Sequence, residues 1–211
     1  VTELYKSRLP KTYGLNPMSD IQILSPTKKG ITGTVELNRM LQLSVNPPSQ
    51  SKNEYKYGQT VFRGGDKVMQ TRNNYDIEYT TENGEDGVGI YNGDMGTVDS
   101  IHTQERYMII TFDDGKIIEY PFTSVEDLDL AYAITVHKSQ GSEFDYCIIP
   151  IVSVSPMLMT RNLLYTAITR AKKLTVILGT TENLKTMIDN DSEVLRYTGL
   201  FKTGEEEVQD D

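Results

Sequence analysis

The sequence is poor in cysteine and has no long apolar run. Cys147 is the single cysteine among 211 residues, so no disulfide can form within the chain, which is typical of a reducing cytoplasm. Because Cys147 lies in an apolar segment, we expect a buried, unreactive thiol. No apolar run approaches the length of a membrane span, and no signal-peptide pattern opens the chain. The sequence therefore predicts a cytoplasmic protein with no membrane partner.

Several catalytic motifs are absent as well. The sequence has no GxxxxGK[ST] loop to cradle nucleotide phosphates, and no strand ends in an acidic pair suited to magnesium. It also lacks a metal-ligand cluster, a serine elbow and a cysteine–histidine arrangement. If the chain is part of a nucleotide machine, it is the part without the phosphate loop. Since it opens on Val1 in structured-looking sequence, we expect a fragment of a longer protein.

The formal net charge of −9 is unevenly distributed. Residues 182–211 hold nine acidic and three basic residues, whereas the remainder holds 21 acidic and 18 basic residues. We expect residues 201–211 to form an acidic, disordered tail. The net charge argues against nucleic acid as a ligand, but the nearly balanced body leaves room for a local basic groove.

Apolar strands alternate with helical patterns along most of the chain. The predicted strands cover residues 20–26, 66–71, 130–137, 146–152 and 174–179. The predicted helices cover residues 3–9, 34–45, 161–173 and 180–188, the last with Thr180 or Thr181 as its N-cap. Residues 49–60 are predicted to be a loop. This alternation favours an α/β fold, with a mainly parallel sheet covered by helices on both faces.

Residues 88–127 show a different pattern. Short β-rich stretches are separated there by the turn sequences NGD, TQE and DDG, which is typical of an antiparallel meander. We predict a small β-barrel over residues 88–127, inserted into a domain formed by residues 1–87 and 128–200.

The most polar loop between two predicted strands is VHKSQGSEFD, residues 136–145. Its donors suit phosphate or ribose, Gly141 allows a tight turn, and Glu143 can accept a hydroxyl hydrogen bond. The donors are His137, Lys138, Ser139 and Gln140. We place the loop at the carboxyl end of a strand, where parallel sheets bind ligands. The alternative is a polar turn with a satisfied histidine.

The predicted helix 161–173 has two distinct faces. Its buried stripe comprises Leu164, Ala167, Ile168 and Ala171, and its polar face comprises Asn162, Thr166, Arg170 and Lys173. Arg170 could reach a phosphate beside the polar loop, because a guanidinium matches phosphate oxygens. The alternative is a solvated basic face that includes Lys172. A further basic pair, Lys28–Lys29, is either a phosphate contact or an exposed loop.

Five blocks together resemble superfamily 1 helicases of the RecD-like branch, relatives of the exodeoxyribonuclease V alpha subunit. AYAITVHKSQGSEFDYCIIPI resembles motif V, and NLLYTAITRAKKLTVILG resembles motif VI. QILSPTKKGITGTVELNRMLQ, GDKVMQTRNNYD and YNGDMGTV are similar to other blocks of that branch. The resemblance covers nearly all of residues 15–200. It implies a RecA-like (P-loop NTPase-type) second motor domain, 2A, with an SH3-like barrel inserted as 2B.

The resemblance also implies roles for single residues. Arg170 resembles the arginine finger that stabilises charge on the transferred phosphoryl group. The residues implied in ATP binding are Gln140, Gly141, Glu143, Tyr165, Lys28 and Lys29. The residues implied in single-stranded DNA binding are Thr135, His137, Lys138 and Ser139. ATP and Mg²⁺ would be bound mainly by an N-terminal RecA-like domain that this sequence does not contain.

The function implied is that of the C-terminal part of an ATP-dependent 5′–3′ DNA helicase in DNA repair or recombination, inactive without its N-terminal half. The barrel would contact a DNA strand or a protein partner. Two alternatives stay open. The chain could be a non-enzymatic module that binds DNA or protein, or a nuclease subunit whose metal-binding carboxylates come from a partner chain.

Overall fold

The computed structural model describes residues 1–152 and 154–191, which form thirteen strands and five α-helices in that part of the chain. The strands are β1 (Ile21–Ser25), β2 (Glu54–Tyr57), β3 (Thr60–Arg63), β4 (Lys67–Gln70), β5 (Asn74–Thr81), β6 (Asp86–Ile90), β7 (Met95–His102), β8 (Tyr107–Phe112), β9 (Lys116–Pro121), β10 (Leu128–Leu130), β11 (Ala133–Thr135), β12 (Phe144–Pro150) and β13 (Ala171–Leu178). The helices are α1 (Leu9–Tyr13), α2 (Pro17–Asp20), α3 (Thr34–Val45), α4 (Arg161–Ile168) and α5 (Thr181–Asp189). A π-helical segment, Leu4–Arg8, precedes α1.

A four-stranded parallel sheet in the order β11-β1-β12-β13 forms the centre of the α/β part. Alternate residues of its strands enter two different cores, as the pleat of a strand requires. Ile23 and Ile148 pack in one core with Leu37 and Leu41 of α3 and with the N-terminal helical segment. Leu24 and Cys147 pack in the other core with α4 and α5. The predicted α/β fold with helices on both faces is therefore confirmed.

A seven-stranded antiparallel sheet contains the predicted meander. Its order is β10-β4-β7-β8-β9-β5-β6, and the β7–β8–β9 hairpins follow the turns read from the sequence. Within the described residues β10 and β6 do not pair, so the sheet stays open. The sheet also contains β4 and β5, which precede residue 88, and β10, which follows residue 127. The predicted strand at 66–71 belongs here and not to the parallel sheet, because β4 pairs antiparallel with both β7 and β10.

Three local predictions are corrected by backbone pairing. Residues 49–60 contain most of a hairpin, in which β2 pairs with β3. The single strand predicted at 130–137 is divided, since β10 joins the antiparallel sheet and β11 joins β1. The helix predicted at 161–173 ends at Ile168, because from Ala171 onward the chain pairs with β12.

The shorter α4 changes the two helix faces. Leu164 and Ala167 are buried as expected, but Ile168 is 38% exposed. Ala171 and Lys173 lie on β13 and so share no helix face with Arg170. α5 begins as predicted, with the Thr180 side chain accepting a hydrogen bond from the Asn183 N–H at 3.1 Å. The predicted tail, residues 201–211, lies outside the described residues.

Burial confirms the expected state of Cys147. The side chain is fully buried, and this burial raises the pKa of its thiol to about 12. A thiol with that pKa has almost no thiolate at neutral pH, so it is inert. Among the described residues, no helix is both long enough and apolar enough to span a membrane.

A buried polar junction joins the two sheets. The Asp66 carboxylate, at the start of β4, accepts hydrogen bonds from Gln42, Asn46, the Arg63 N–H and the Tyr132 hydroxyl, at 2.6 to 2.8 Å. Burial raises the pKa of this carboxyl group, while the four donors act in the opposite direction. The junction therefore connects α3, the β2–β3 hairpin, β4 and the segment leading to β11.

Candidate nucleotide and nucleic-acid sites

The polar loop, residues 136–143, runs from the carboxyl ends of the parallel strands, called the carboxyl edge of the sheet, to their amino ends, called the amino edge. Thr135 ends β11 level with Ser25, at the carboxyl edge of the sheet. Tyr146 lies level with Ile21, so β12 begins at the amino edge. The prediction that residues 137–143 lie together at a carboxyl end is therefore correct only for the start of the loop. Its last residues lie at the opposite edge, because β11 and β12 are parallel.

Ser139 holds the middle of this loop in a compact turn. It is fully buried, and its hydroxyl donates to the Val136 carbonyl at 2.7 Å. Its N–H donates to the Thr135 carbonyl at 3.1 Å. Gly141 then adopts a φ of +88°, a conformation that favours glycine. Ser139 thus faces the protein interior and not a groove, which is a structural role that its DNA-binding prediction did not anticipate.

Arg170 lies beside the end of the loop at the amino edge. Its Nε donates to the Thr166 carbonyl at 3.2 Å, and its Nη1 lies 3.4 Å from the Ser142 carbonyl oxygen. The Phe144 N–H donates to the Arg170 carbonyl at 2.8 Å, which fixes the starts of β12 and β13 side by side. The guanidinium is only partly exposed and has no carboxylate partner among the described residues. It is therefore a cation held beside the loop and free to bind an anion.

The other predicted nucleotide contacts are less tightly grouped. Gln140, Gly141 and Glu143 are exposed on the loop, and the Glu143 carboxylate pairs with Lys172 at 3.2 Å. Tyr165 is 69% exposed on α4, one helical turn before Thr169. The structure thus brings Glu143 and Arg170 to one edge, with Tyr165 on the helix that leads to it.

A groove of about 600 Å³ lies at the other end of the loop, between α3, the β2–β3 hairpin and β10–β11. Among the described residues four cations and two carboxylates, Glu36 and Asp129, line it, and it is called the basic groove. Thr135 and Lys138 line it as expected, and Lys28 lines it too. Lys28 therefore groups with the predicted DNA contacts and not with Arg170, whereas Lys29 does not line the groove. His137 is exposed on the loop beside Lys138 but does not line the groove.

Two arginines that sequence reasoning missed also line this groove. Arg39 of α3 pairs with Glu36, and Arg63 of β3 pairs with Glu54. Arg39 lies on the outer face of a predicted helix, which only weakly indicates a ligand contact. The sequence gave no indication that Arg63 contacts a ligand, since its segment was not predicted as a strand. Lys28 makes no ion pair with any residue that the structure describes, so it is the cation most available to a ligand.

A second cavity, of about 460 Å³, lies beside Ser142 and Glu143. Asp94, Asp113 and Asp114 line it, together with the buried Lys67. Carboxylates outnumber the single cation, so this cavity is poorly suited to a phosphate group. Within residues 1–152 and 154–191, no group of three His, Cys, Asp or Glu side chains is arranged to hold a metal ion.

Lys67→Met is expected to raise the free energy of unfolding at pH 7 by about 1–3 kcal/mol, because methionine removes a desolvated ammonium and keeps much of the stem. Burial lowers the pKa of Lys67 to about 8, although Asp113 and Asp20 oppose the shift. A depressed lysine pKa makes the wild type lose stability as the pH falls from about 10 through 8, since the unfolded chain then binds more protons. Urea unfolding of both proteins at pH 7 and pH 10 measures this.

The gain from Lys67→Met is expected to be smaller at pH 10 than at pH 7. If methionine destabilised the protein at both values, the attraction between Lys67 and Asp113 would outweigh the cost of burying the charge.

Two family profiles match separate parts of the chain. The profile of the ATP-dependent RecD-like DNA helicase SH3 domain matches residues 37–112. The profile of the UvrD-like helicase C-terminal domain matches residues 130–178. The first covers most of α3, the β2–β3 hairpin, Asp66 of the polar junction and strands β4 to β8. The second covers the polar loop, α4 and β13.

Curated relatives give the same result. The chain is 33% identical over 152 residues to the ATP-dependent RecD2 DNA helicase of Deinococcus radiodurans, which covers 72% of this chain and 19% of the relative. It is 37% identical over 200 residues to an uncharacterized protein of Methanocaldococcus jannaschii, covering 86% of this chain and 17% of the relative. It is 29% identical to the RecBCD enzyme subunit RecD of Mycolicibacterium smegmatis, covering 89% and 30% respectively. The chain thus spans less than a third of each relative.

Solved structures share the fold. The Pif1 helicase from Bacteroides in complex with ADP-AlF3 and single-stranded DNA has a TM-score of 0.53 and 18% identity, covering 86% of this chain and 46% of that one. The fold and the two profiles define a helicase C-terminal region, in which a RecA-like α/β domain carries an SH3-like insertion. Within that class, the chain belongs to the RecD-like helicases and corresponds to their C-terminal region.

Proposed function

We propose that the full-length protein is an ATP-dependent DNA helicase that moves 5′ to 3′ along single-stranded DNA in repair or recombination. This chain supplies the arginine finger and part of the DNA-binding surface, and it is inactive without an N-terminal RecA-like domain. The observation that carries the proposal is one loop, residues 136–143, which joins the basic groove at one edge of the sheet to Arg170 at the other.

Arg170 acts on ATP in this proposal. Its long 3.4 Å contact with the Ser142 carbonyl is weak enough to give way to a phosphate oxygen. When the N-terminal domain closes on bound ATP, the guanidinium stabilises the negative charge that develops on the γ-phosphoryl group. In this proposal the N-terminal domain brings the phosphate loop and binds most of the ATP and its Mg²⁺.

The DNA strand lies in the basic groove in this proposal, against Lys28, Thr135 and Lys138. A single strand follows a positive groove through its phosphates. Lys138 pairs with Asp129 at 3.1 Å, so Lys28, which has no carboxylate partner among the described residues, contributes most. The turn fixed by Ser139 separates the two ends of the loop. Since that turn is compact, a displacement beside Arg170 during hydrolysis is transmitted to Thr135 and Lys138, which couples ATP hydrolysis to movement of the strand.

Lys28→Ala in the full-length protein is expected to weaken single-stranded DNA binding about fivefold to tenfold at moderate salt. It should also reduce the slope of log Kd against log salt by about 0.7, because one phosphate contact is lost. The matched control is Lys29→Ala, which removes the same charge from the next residue, outside the groove. Fluorescence anisotropy with a labelled oligothymidine at several salt concentrations measures both quantities.

Equal effects of the two substitutions would contradict a DNA strand in this groove. They would instead indicate that the two lysines act only through the overall charge of an exposed loop.

A further inference from the structure

The antiparallel sheet divides into a fork between β5 and β9. Strand β9 pairs with β8 along its length, from Ile117 to Pro121, but it pairs with β5 only at Lys116 and Ile117. Beyond that point, residues 118–121 have no strand partner on the β5 side within the described part of the chain. On the other arm, β6 is the only strand among the described residues that pairs with the segment of β5 before Thr80. Two strand edges therefore face each other without a strand between them.

A cavity of about 970 Å³ fills this fork. Its apolar and aromatic side chains are Ile77, Tyr79, Val88, Ile109, Ile117 and Pro121. Its charged side chains are Asp76, Glu78, Asp86 and Glu119, and none of the described residues that line it is basic. Apolar groups between two strand edges and a set of carboxylates at the same place favour an extended ligand with alternating apolar and basic side chains.

The surroundings of the fork are acidic as well. Residues 74–121 hold eleven acidic and two basic residues. One of the two, Lys116, is paired with Asp94 and Asp114 and lies over the rings of Tyr79 and Tyr91. The negative electrostatic potential of this acidic surface repels a nucleic-acid backbone and attracts a cationic segment. The charge of the fork thus favours protein over DNA as the ligand of this sheet.

We propose that the fork binds an extended, basic segment of a partner protein by β-strand addition. The segment pairs its backbone with the free edge of β9, places alternate apolar side chains against Ile109 and Ile117, and directs lysines or arginines to Glu78 and Glu119. This site is separate from the basic groove and from Arg170. It does not depend on the motor function proposed above, and its test needs neither ATP nor DNA.

The probe is a ten-residue peptide of alternating lysine and valine, acetylated and amidated at its ends and carrying a fluorophore. Titration with the full-length protein is expected to give saturable binding. The double variant Glu78→Lys/Glu119→Lys should weaken binding at least tenfold. Glu105→Lys, at the exposed β7–β8 turn, should change it less than twofold, because that residue lies outside the fork. Bound peptide should also slow amide hydrogen exchange within residues 118–120, which have no partner on the β5 side among the described residues.

A second peptide separates strand addition from simple charge attraction. N-methylation of alternate residues removes the N–H groups along one peptide edge, and two such peptides block the two edges in turn. At least one of them is expected to bind at least tenfold more weakly, although the charge is unchanged. Unchanged binding of both methylated peptides would overturn the proposal, as would an equal loss in the Glu105→Lys control. Protection of residues 118–120 by single-stranded DNA, or by self-association of the protein, would overturn it in favour of those ligands.

Discussion

Arg170→Ala in the full-length protein is expected to lower DNA-stimulated ATP turnover by roughly 10³, with nucleotide affinity changed only a few fold. A positioned arginine finger contributes roughly 10³–10⁵ to the rate of phosphoryl transfer, because its charge acts on the transition state more than on bound ATP. Arg170 suits this role because its guanidinium lies at an edge of the sheet without a carboxylate partner among the described residues. Steady-state kcat and the Kd of a fluorescent ATP analogue measure the two effects separately.

Two further variants test whether the guanidinium shape and the position of the charge both matter. Arg170→Lys keeps a cation but loses the planar fork, so we expect a turnover between those of the wild type and the alanine variant. Lys173→Ala removes a charge three residues away on β13, where the lysine pairs with Asp145 in solvent, and should leave kcat within about twofold. Unchanged turnover in Arg170→Ala would mean that this residue belongs to a solvated basic surface, and the non-enzymatic binding module would then be the better hypothesis.

The α/β part of the fold could be predicted because each of its helices and strands has a recognisable pattern of neighbouring residues. The near-continuous apolar segment of β12 predicted a strand buried on both faces, and its residues do alternate between the two cores. The Thr180 cap and the period of α3 likewise predicted a helix in each place. The turns of the β7–β8–β9 meander were readable for the same reason. Each of these features depends on residues close together in the sequence.

The features that could not be read depend on distant partners. Nothing in residues 66–71 distinguishes a strand of the parallel sheet from a strand of the antiparallel sheet, since the difference is its pairing with β7 and β10. The end of α4 was misplaced because Ala171 and the following residues fit a helical period, yet their backbone finds better partners on β12. The position of Lys28 in the basic groove depends on the packing of α3 against β11, which no local pattern encodes.

Asp66→Ala is expected to lower the free energy of unfolding by about 4 kcal/mol, the largest stability effect of any substitution considered. The carboxylate is fully buried and accepts four hydrogen bonds, so alanine leaves four donors without an acceptor in the interior. Burial raises the pKa of Asp66 because desolvation opposes the charged form, but loss of the acceptors costs more than relief of that burial. Urea unfolding of the 211-residue chain, followed by circular dichroism, measures the change.

The partial variant and the control follow from the same geometry. Asp66→Asn keeps the shape and one acceptor oxygen, so its loss should be about half that of the alanine variant. Asp99→Ala removes an exposed carboxylate that accepts one bond from Thr111, and should change the free energy by less than about 0.5 kcal/mol. If Asp66→Ala matched Asp99→Ala, apolar packing alone would hold the two sheets together. Gln42 and Arg63 donate hydrogen bonds to Asp66 and also line the basic groove. If the expected loss is found, the same polar junction therefore positions these two groove residues and fixes the antiparallel sheet to the α/β domain.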